Sequence, residues 1–100
     1  MNAMTISEFK SSLLELNPPE GLGSQLEALW YDGKGDWKSA HDLADGPSDK
    51  LSARVHAYLH RKEGDTWNAD YWYRRAGEPR PDSSLEQEWE ILVERILNFS

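Results

Sequence analysis

Gly35-Asp36-Trp37-Lys38-Ser39-Ala40 returns 29 positions later as Gly64-Asp65-Thr66-Trp67-Asn68-Ala69. Each copy closes one run of apolar residues at helical spacing and opens another. Glycine ends a helix at low cost because it tolerates a left-handed backbone. The aspartate after it caps the next helix by accepting a hydrogen bond from the free N–H groups there. An alanine one turn further on lets two antiparallel helices approach closely. Two copies of the phrase therefore predict two stacked helical hairpins.

Working outward, Leu22, Leu26, Leu29 and Trp30 mark a second helix that ends in the 33–35 region. Asp36 caps a third, with Trp37, Ala40, Leu43 and Ala44 inward, broken by Gly46-Pro47. Ser48 or Asp49 starts a fourth, striped by Leu51, Val55, Tyr58 and Leu59, which runs to Gly64. Asp65 caps a fifth with Ala69, Trp72, Tyr73 and Ala76 on one face, ended by Gly77, Pro79 and Pro81. At the N-terminal flank, Thr5 with Glu8 makes a capping box. Phe9, Leu13 and Leu16 then predict a first helix over roughly 6–16, stopped by Asn17-Pro18-Pro19. At the other flank, Ser83 or Ser84 with Glu86 or Gln87 caps a sixth. Its stripe of Leu85, Trp89, Leu92, Val93, Ile96 and Leu97 is the cleanest amphipathic pattern in the chain. No stretch sustains period-two alternation. The expectation is an all-α fold of about six short helices in one domain over 1–100. It divides into an N-terminal helix and Pro-rich turn (1–21), two hairpins (22–47 and 48–81) and a C-terminal capping helix (82–100).

One hundred residues suffice for one hydrophobic core, and although only 38% are hydrophobic, five Trp, four Tyr and two Phe carry large buried areas. The absence of Cys excludes disulfides, thiolate metal sites and cysteine nucleophiles. No signal-peptide pattern and no membrane-length apolar run occur, so a cytoplasmic protein without membrane contact is expected. A net charge of −7 argues against nucleic acid as partner. Residues 54–80 carry six basic groups against four acidic ones, a +2 island in a body that otherwise sums to −9. Such an island suits an acidic or carboxylate-bearing partner segment, or else complements its own acidic neighbours. No Gly-rich phosphate loop, nucleophile elbow or calcium loop is present, and no cofactor is expected.

The second hairpin resembles the tetratricopeptide superfamily, in particular its Sel-like branch. Gly64, Ala69, Tyr73 and Ala76 stand at that pattern's turn, small and aromatic positions, and Pro81 stands where such units often end. Asn68-Ala69-Asp70-Tyr71-Trp72-Tyr73-Arg74-Arg75-Ala76 is similar to the Ala-x-x-Trp-Tyr-Arg-Lys-Ala signature. The first copy matches only at Gly35, Ala40 and Ala44. His56 and His60 occupy positions where Leu and a large aromatic are usual, while Ala57 keeps the small position. The resemblance spans about 22–81 and implies a scaffold that binds peptides or partner proteins. Helices one and six would cap the stack.

Two constellations stand out. His56, His60 and Glu63 at i, i+4 and i+7 fall within about 60° on one helix, beside its apolar stripe. Two His one turn apart can share a metal ion, with a carboxylate as third ligand and His41 joining across the stack. The order His-Glu-x-x-His of zinc hydrolases is missing. The competing reading makes these histidines packing residues at repeat-core positions. Separately, Trp67 and Tyr71 lie on the outer face of the fifth helix beside Arg75 and Asn68, a contact surface unless helix one or six covers it. The leading expectation is a non-enzymatic interaction module that recognises a partner through His56, His60, Trp67, Tyr71, Arg75 and, with less weight, Arg74. The alternative is a metal-dependent ligand site or enzyme built on His41, His56, His60 and Glu63. Self-association is the third reading, with the sixth helix as dimer element if its apolar face is not used internally. The run Glu86-Gln87-Glu88 with Glu90 and Glu94 reads as the solvated side of that helix.

Overall fold

The computed structural model describes residues 4–46 and 49–98. Among these it contains six helices and no strand: α1 (Ile6–Ser12), α2 (Ser24–Gly33), α3 (Trp37–Asp45), α4 (Lys50–Lys62), α5 (Thr66–Ala76) and α6 (Leu85–Asn98). The doubled phrase builds two turns with the same bonds. After α2, the Asp36 N–H donates to the Tyr31 carbonyl and the Gly35 N–H to that of Asp32, both at 2.9 Å. After α4, Asp65 donates to His60 at 2.9 Å and Gly64 to Arg61 at 3.1 Å. Gly35 and Gly64 hold φ of +87° and +89°, the left-handed position this closure requires. Asp36 and Asp65 then cap α3 and α5 by accepting from the backbone of Ser39 and Asn68.

Such short turns fold α3 back on α2 and α5 back on α4, and α3 packs in turn against α4. In the second hairpin Ala57 and Ala69 supply the small surfaces that let α4 and α5 close together beside Tyr73. Helix α4 lies at the centre of the molecule, in contact with α2, α3, α5 and α6, and residues 52–60 are buried throughout. The main core gathers Phe9, Leu29, Trp30, Val55, Leu59 and Leu92 among others.

Several expectations change. The first helix stops at Ser12, short of residue 16. The backbone tightens into i→i−3 bonds at Leu13, Leu14 and Glu15, and the Lys34 ammonium caps the Leu13 and Glu15 carbonyls. Leu16 is consequently exposed. Leu22 precedes α2 but still packs against the core. Asp49, accepting from the Ser52 N–H, caps α4; Pro47 and the alternative cap Ser48 lie outside the described residues. Ser84 and Gln87 form the reciprocal cap of α6.

Glu88 is the main correction. It is 1% exposed, whereas Glu86, Gln87, Glu90 and Glu94 do face solvent. Its carboxylate accepts from Arg54 Nη1 (2.6 Å), Arg61 Nη1 (2.5 Å) and the Tyr73 hydroxyl (2.5 Å), tying α4, α5 and α6 together. The apolar face of α6 is likewise consumed internally, with Trp89, Leu92, Val93, Ile96 and Leu97 all buried. The condition under which that helix would serve as a dimer element is therefore not met.

Candidate metal centre

The chain has three histidines, and the fold brings all of them together. His41 comes from α3, and His56 and His60 come from consecutive turns of α4. One ring nitrogen from each lies within 4.8 Å of the others. The closest approach is Nε2 of His41 to Nε2 of His56, at 2.8 Å. A neutral imidazole offers one N–H and one lone pair, so this contact is a single hydrogen held between two facing nitrogens. A metal ion can take its place once that hydrogen moves to Nδ1 of the same ring, which leaves both imidazoles neutral.

The surroundings fix the rings. Trp37, one turn before His41, stacks on it with centroids 4.8 Å apart, and its indole N–H donates to the Leu59 carbonyl at 2.8 Å. Trp72 of α5 stacks on His56 at 4.0 Å and 16°, and His60 lies against the same ring at 4.8 Å and 19°. His56 is 2% exposed and His60 9%, while His41 is half-buried and supplies the open edge. Burial, followed by the neighbouring His41 and His60, pushes the His56 pKa down to about 4, so the ring is neutral at physiological pH.

Carboxylates surround the rings on their outer sides. His60 Nδ1 stands 2.7 Å from Glu63 Oε1; a carboxylate only accepts, so that nitrogen carries the proton and the Nε2 lone pair stays free. Nδ1 of His56 is 4.0 Å from Asp45 Oδ1. A carboxylate behind a ligand histidine fixes its tautomer and raises its basicity, and its removal typically costs 10–100-fold in metal affinity. Glu63 thus serves the cluster through His60 and not as a fourth member. Asp65 also approaches His60 and Glu63, but its oxygens are engaged by the Asn68 backbone and side chain.

A tetrahedral zinc ion with Zn–N bonds of ~2.0–2.1 Å spaces its nitrogens about 3.3 Å apart. The His41–His56 contact would open by about 0.5 Å and the widest separation close by no more than about 1.5 Å, within reach of rotamer adjustment. Three imidazoles suit zinc, copper, iron or nickel, and leave one position of a tetrahedral ion for water or a ligand.

The remaining expected site residues divide differently. His56 and His60 lie beneath the surface and do not form one exposed patch with the outer face of α5. Trp67 is 74% exposed and Tyr71 37%, so neither α1 nor α6 covers them. Their rings stack at 6.5 Å, and Arg75 donates to the Tyr71 hydroxyl at 3.2 Å. Asn68 is spent on capping α5. The basic island is largely neutralised: Arg54 and Arg61 pair with Glu88, Lys62 with Asp32, and Arg80 with Asp70. Among the described residues Arg74 and Arg75 have no carboxylate partner. Sequence reasoning missed Asp45 and the roles of Trp37 and Trp72 as walls of the cluster. The i, i+4 spacings Trp37–His41 and His41–Asp45 carried a signal for two of these, whereas Trp72 reaches the histidines only through the packing of α5 on α4.

Comparison of the chain with protein-family models, with curated proteins and with solved structures found no significant match in any of the three. No helix among the described residues is long and apolar enough to cross a membrane.

Proposed function

We propose that this protein is a metal-dependent ligand-binding domain. A divalent transition-metal ion, zinc in the first instance, is held by His41, His56 and His60, with one coordination position open to a ligand. The observation that carries this reading is the convergence of all three histidines, one ring nitrogen from each, within 4.8 Å. Three further features support it. His56 is neutral near pH 7, so an ion does not have to expel a proton from it. Glu63 orients His60 from behind. Two tryptophan rings cover faces of His41 and His56, and His41 is the most exposed of the three histidines. An ion so placed supplies Lewis acidity, and water bound to it loses its proton more readily.

The test is titration of the metal-free protein with Co²⁺ and Zn²⁺, following visible absorption and binding heat. One equivalent of Co²⁺ is expected to give tetrahedral absorption bands that Zn²⁺ removes. His41→Ala, at the least buried of the three, abolishes uptake with helicity intact, and Glu63→Gln weakens it about 10–100-fold. Uptake by His41→Ala equal to that of the unchanged chain would sink the proposal.

A second reading rests on a separate observation, the uncovered aromatic face of α5. Trp67, Tyr71 and Arg75, with Arg74 beside them, offer to a carboxylate-bearing peptide segment stacked rings and two guanidinium groups that have no carboxylate partner among the described residues. The resemblance to tetratricopeptide scaffolds and a cytoplasmic setting belong to this reading. Tyr71→Ala combined with Arg75→Ala is expected to reduce capture of acidic peptides by at least about 2 kcal/mol, leaving the helical signal unchanged. Undiminished capture in that double variant counts against it.

A further inference from the structure

A cleft of about 320 Å³ opens between α2, α4 and α6, and it shares no residue with the histidine cluster. Its walls are apolar: Leu13, Leu85 and the Trp89 ring, the last fixed by its indole N–H donating to the Leu29 carbonyl at 2.9 Å. Gly33 makes this shape possible. A Cβ there would stand 3.0 Å from Leu13 Cδ2 and 3.2 Å from Trp89 Cζ2, so any side chain would crowd both walls. At the polar end, Asp32 is 2% exposed and accepts from the Tyr58 hydroxyl and from Lys62 Nζ, each at 2.8 Å. That charge is matched. The rim carries Glu86 and Glu90. Glu90 is paired with Lys10, but Glu86 has no hydrogen-bond or ion-pair partner among the described residues.

We propose that this cleft binds a small organic cation, a primary ammonium on an aromatic or branched aliphatic body. The volume lies at the small end of the usual range for ligand sites. Hydrocarbon fits between Leu13, Leu85 and Trp89, where the indole face also attracts positive charge. The ammonium finds Glu86 as an unpaired acceptor, with Glu90 beside it. Glu86 lies in the first turn of α6 and opposes the partial positive charge there. An anion would meet three carboxylates, and the two lysines beside them, Lys62 and Lys10, are already paired with Asp32 and Glu90. A neutral apolar molecule would gain the walls and nothing from the rim. The site stands independently of the metal centre, since their residues do not overlap.

The experiment is titration of the full chain with phenethylammonium, 2-phenylethanol and phenylacetate, three probes of nearly equal shape, following the Trp89 indole N–H signal by NMR. Phenethylammonium is expected to give a saturable shift, 2-phenylethanol to bind about fivefold more weakly and phenylacetate not to bind. Glu86→Gln, a change at an exposed position, lowers phenethylammonium affinity about threefold or more. Gly33→Leu, which fills the cleft, removes the shift; should that variant fail to fold, Glu86→Gln carries the test. Equal responses to all three probes, a preference for phenylacetate, no saturable shift, or affinity unchanged in Glu86→Gln would each overturn the proposal.

Discussion

His56 is a base kept dry. Trp72 covers one face of its ring and His60 lies against it, and His41 and Asp45 stand at its two nitrogens. Its pKa falls from 6.5 to about 4, chiefly because burial disfavours the imidazolium. The denatured chain therefore binds a proton between those two pH values that the native chain refuses. Stability is present in full above about pH 6.5 and is lost as pH falls toward 4. The loss is expected to be about 2 kcal/mol between pH 7 and pH 5, read from urea midpoints at the two values. In His56→Phe, which keeps the ring stack, that slope should largely vanish. A slope unchanged by the substitution would place the acid sensitivity elsewhere. The helical spacing of His56 and His60 was legible from the chain. Their depth was not, because a position at the edge of an apolar stripe is covered or exposed according to what the neighbouring helices bring.

At the level of elements, α4 is held by charge as much as by apolar packing. Arg54 and Arg61, seven residues apart, lie on one side of it and share the Glu88 carboxylate. Arg54 also donates to Glu78, which takes two further hydrogen bonds from Arg95 and is held below the usual carboxylate range by them. Removing a buried partner leaves uncompensated charge, so Glu88→Ala is expected to cost about 3–5 kcal/mol in denaturant unfolding. Glu78→Ala, at the half-buried end of the same network, should cost clearly less. Equal costs would mean that Glu88 is not the centre of the node. The position of Glu88 was in fact readable. At 100° per residue it falls about 40° from Leu92 on the helix wheel, at the border of the apolar stripe. Its acidic neighbours and its charge argued for solvent. What reversed that was a pair of arginines on α4, 27 and 34 residues away in the chain.

Across the whole molecule, the first hairpin meets the second through α3 and α4, and the histidines sit at that junction. A bond between α3 and α4 therefore ties the two hairpins to each other. An ion bound by the native state alone at 100 times its dissociation constant adds ~2.7 kcal/mol. Excess Zn²⁺ should therefore raise the melting temperature by about 10 °C or more, and His41→Ala should cancel the rise. A rise of equal size in that variant would mean that zinc stabilises the chain somewhere else.

The sequence alone determined the all-α class, the six helices and the turns between paired helices, because caps, left-handed glycines and apolar periodicity act over a few residues. It also put two histidines and a glutamate on one side of α4. Only the tertiary structure decided that His41 meets the other two histidines, that Trp72 covers His56, that Glu88 is buried and that the outer face of α5 stays bare. Each of these depends on contacts between residues distant in the chain. Local stereochemistry sets how a helix begins and ends, whereas which side chains are covered depends on how whole helices fill the space around α4.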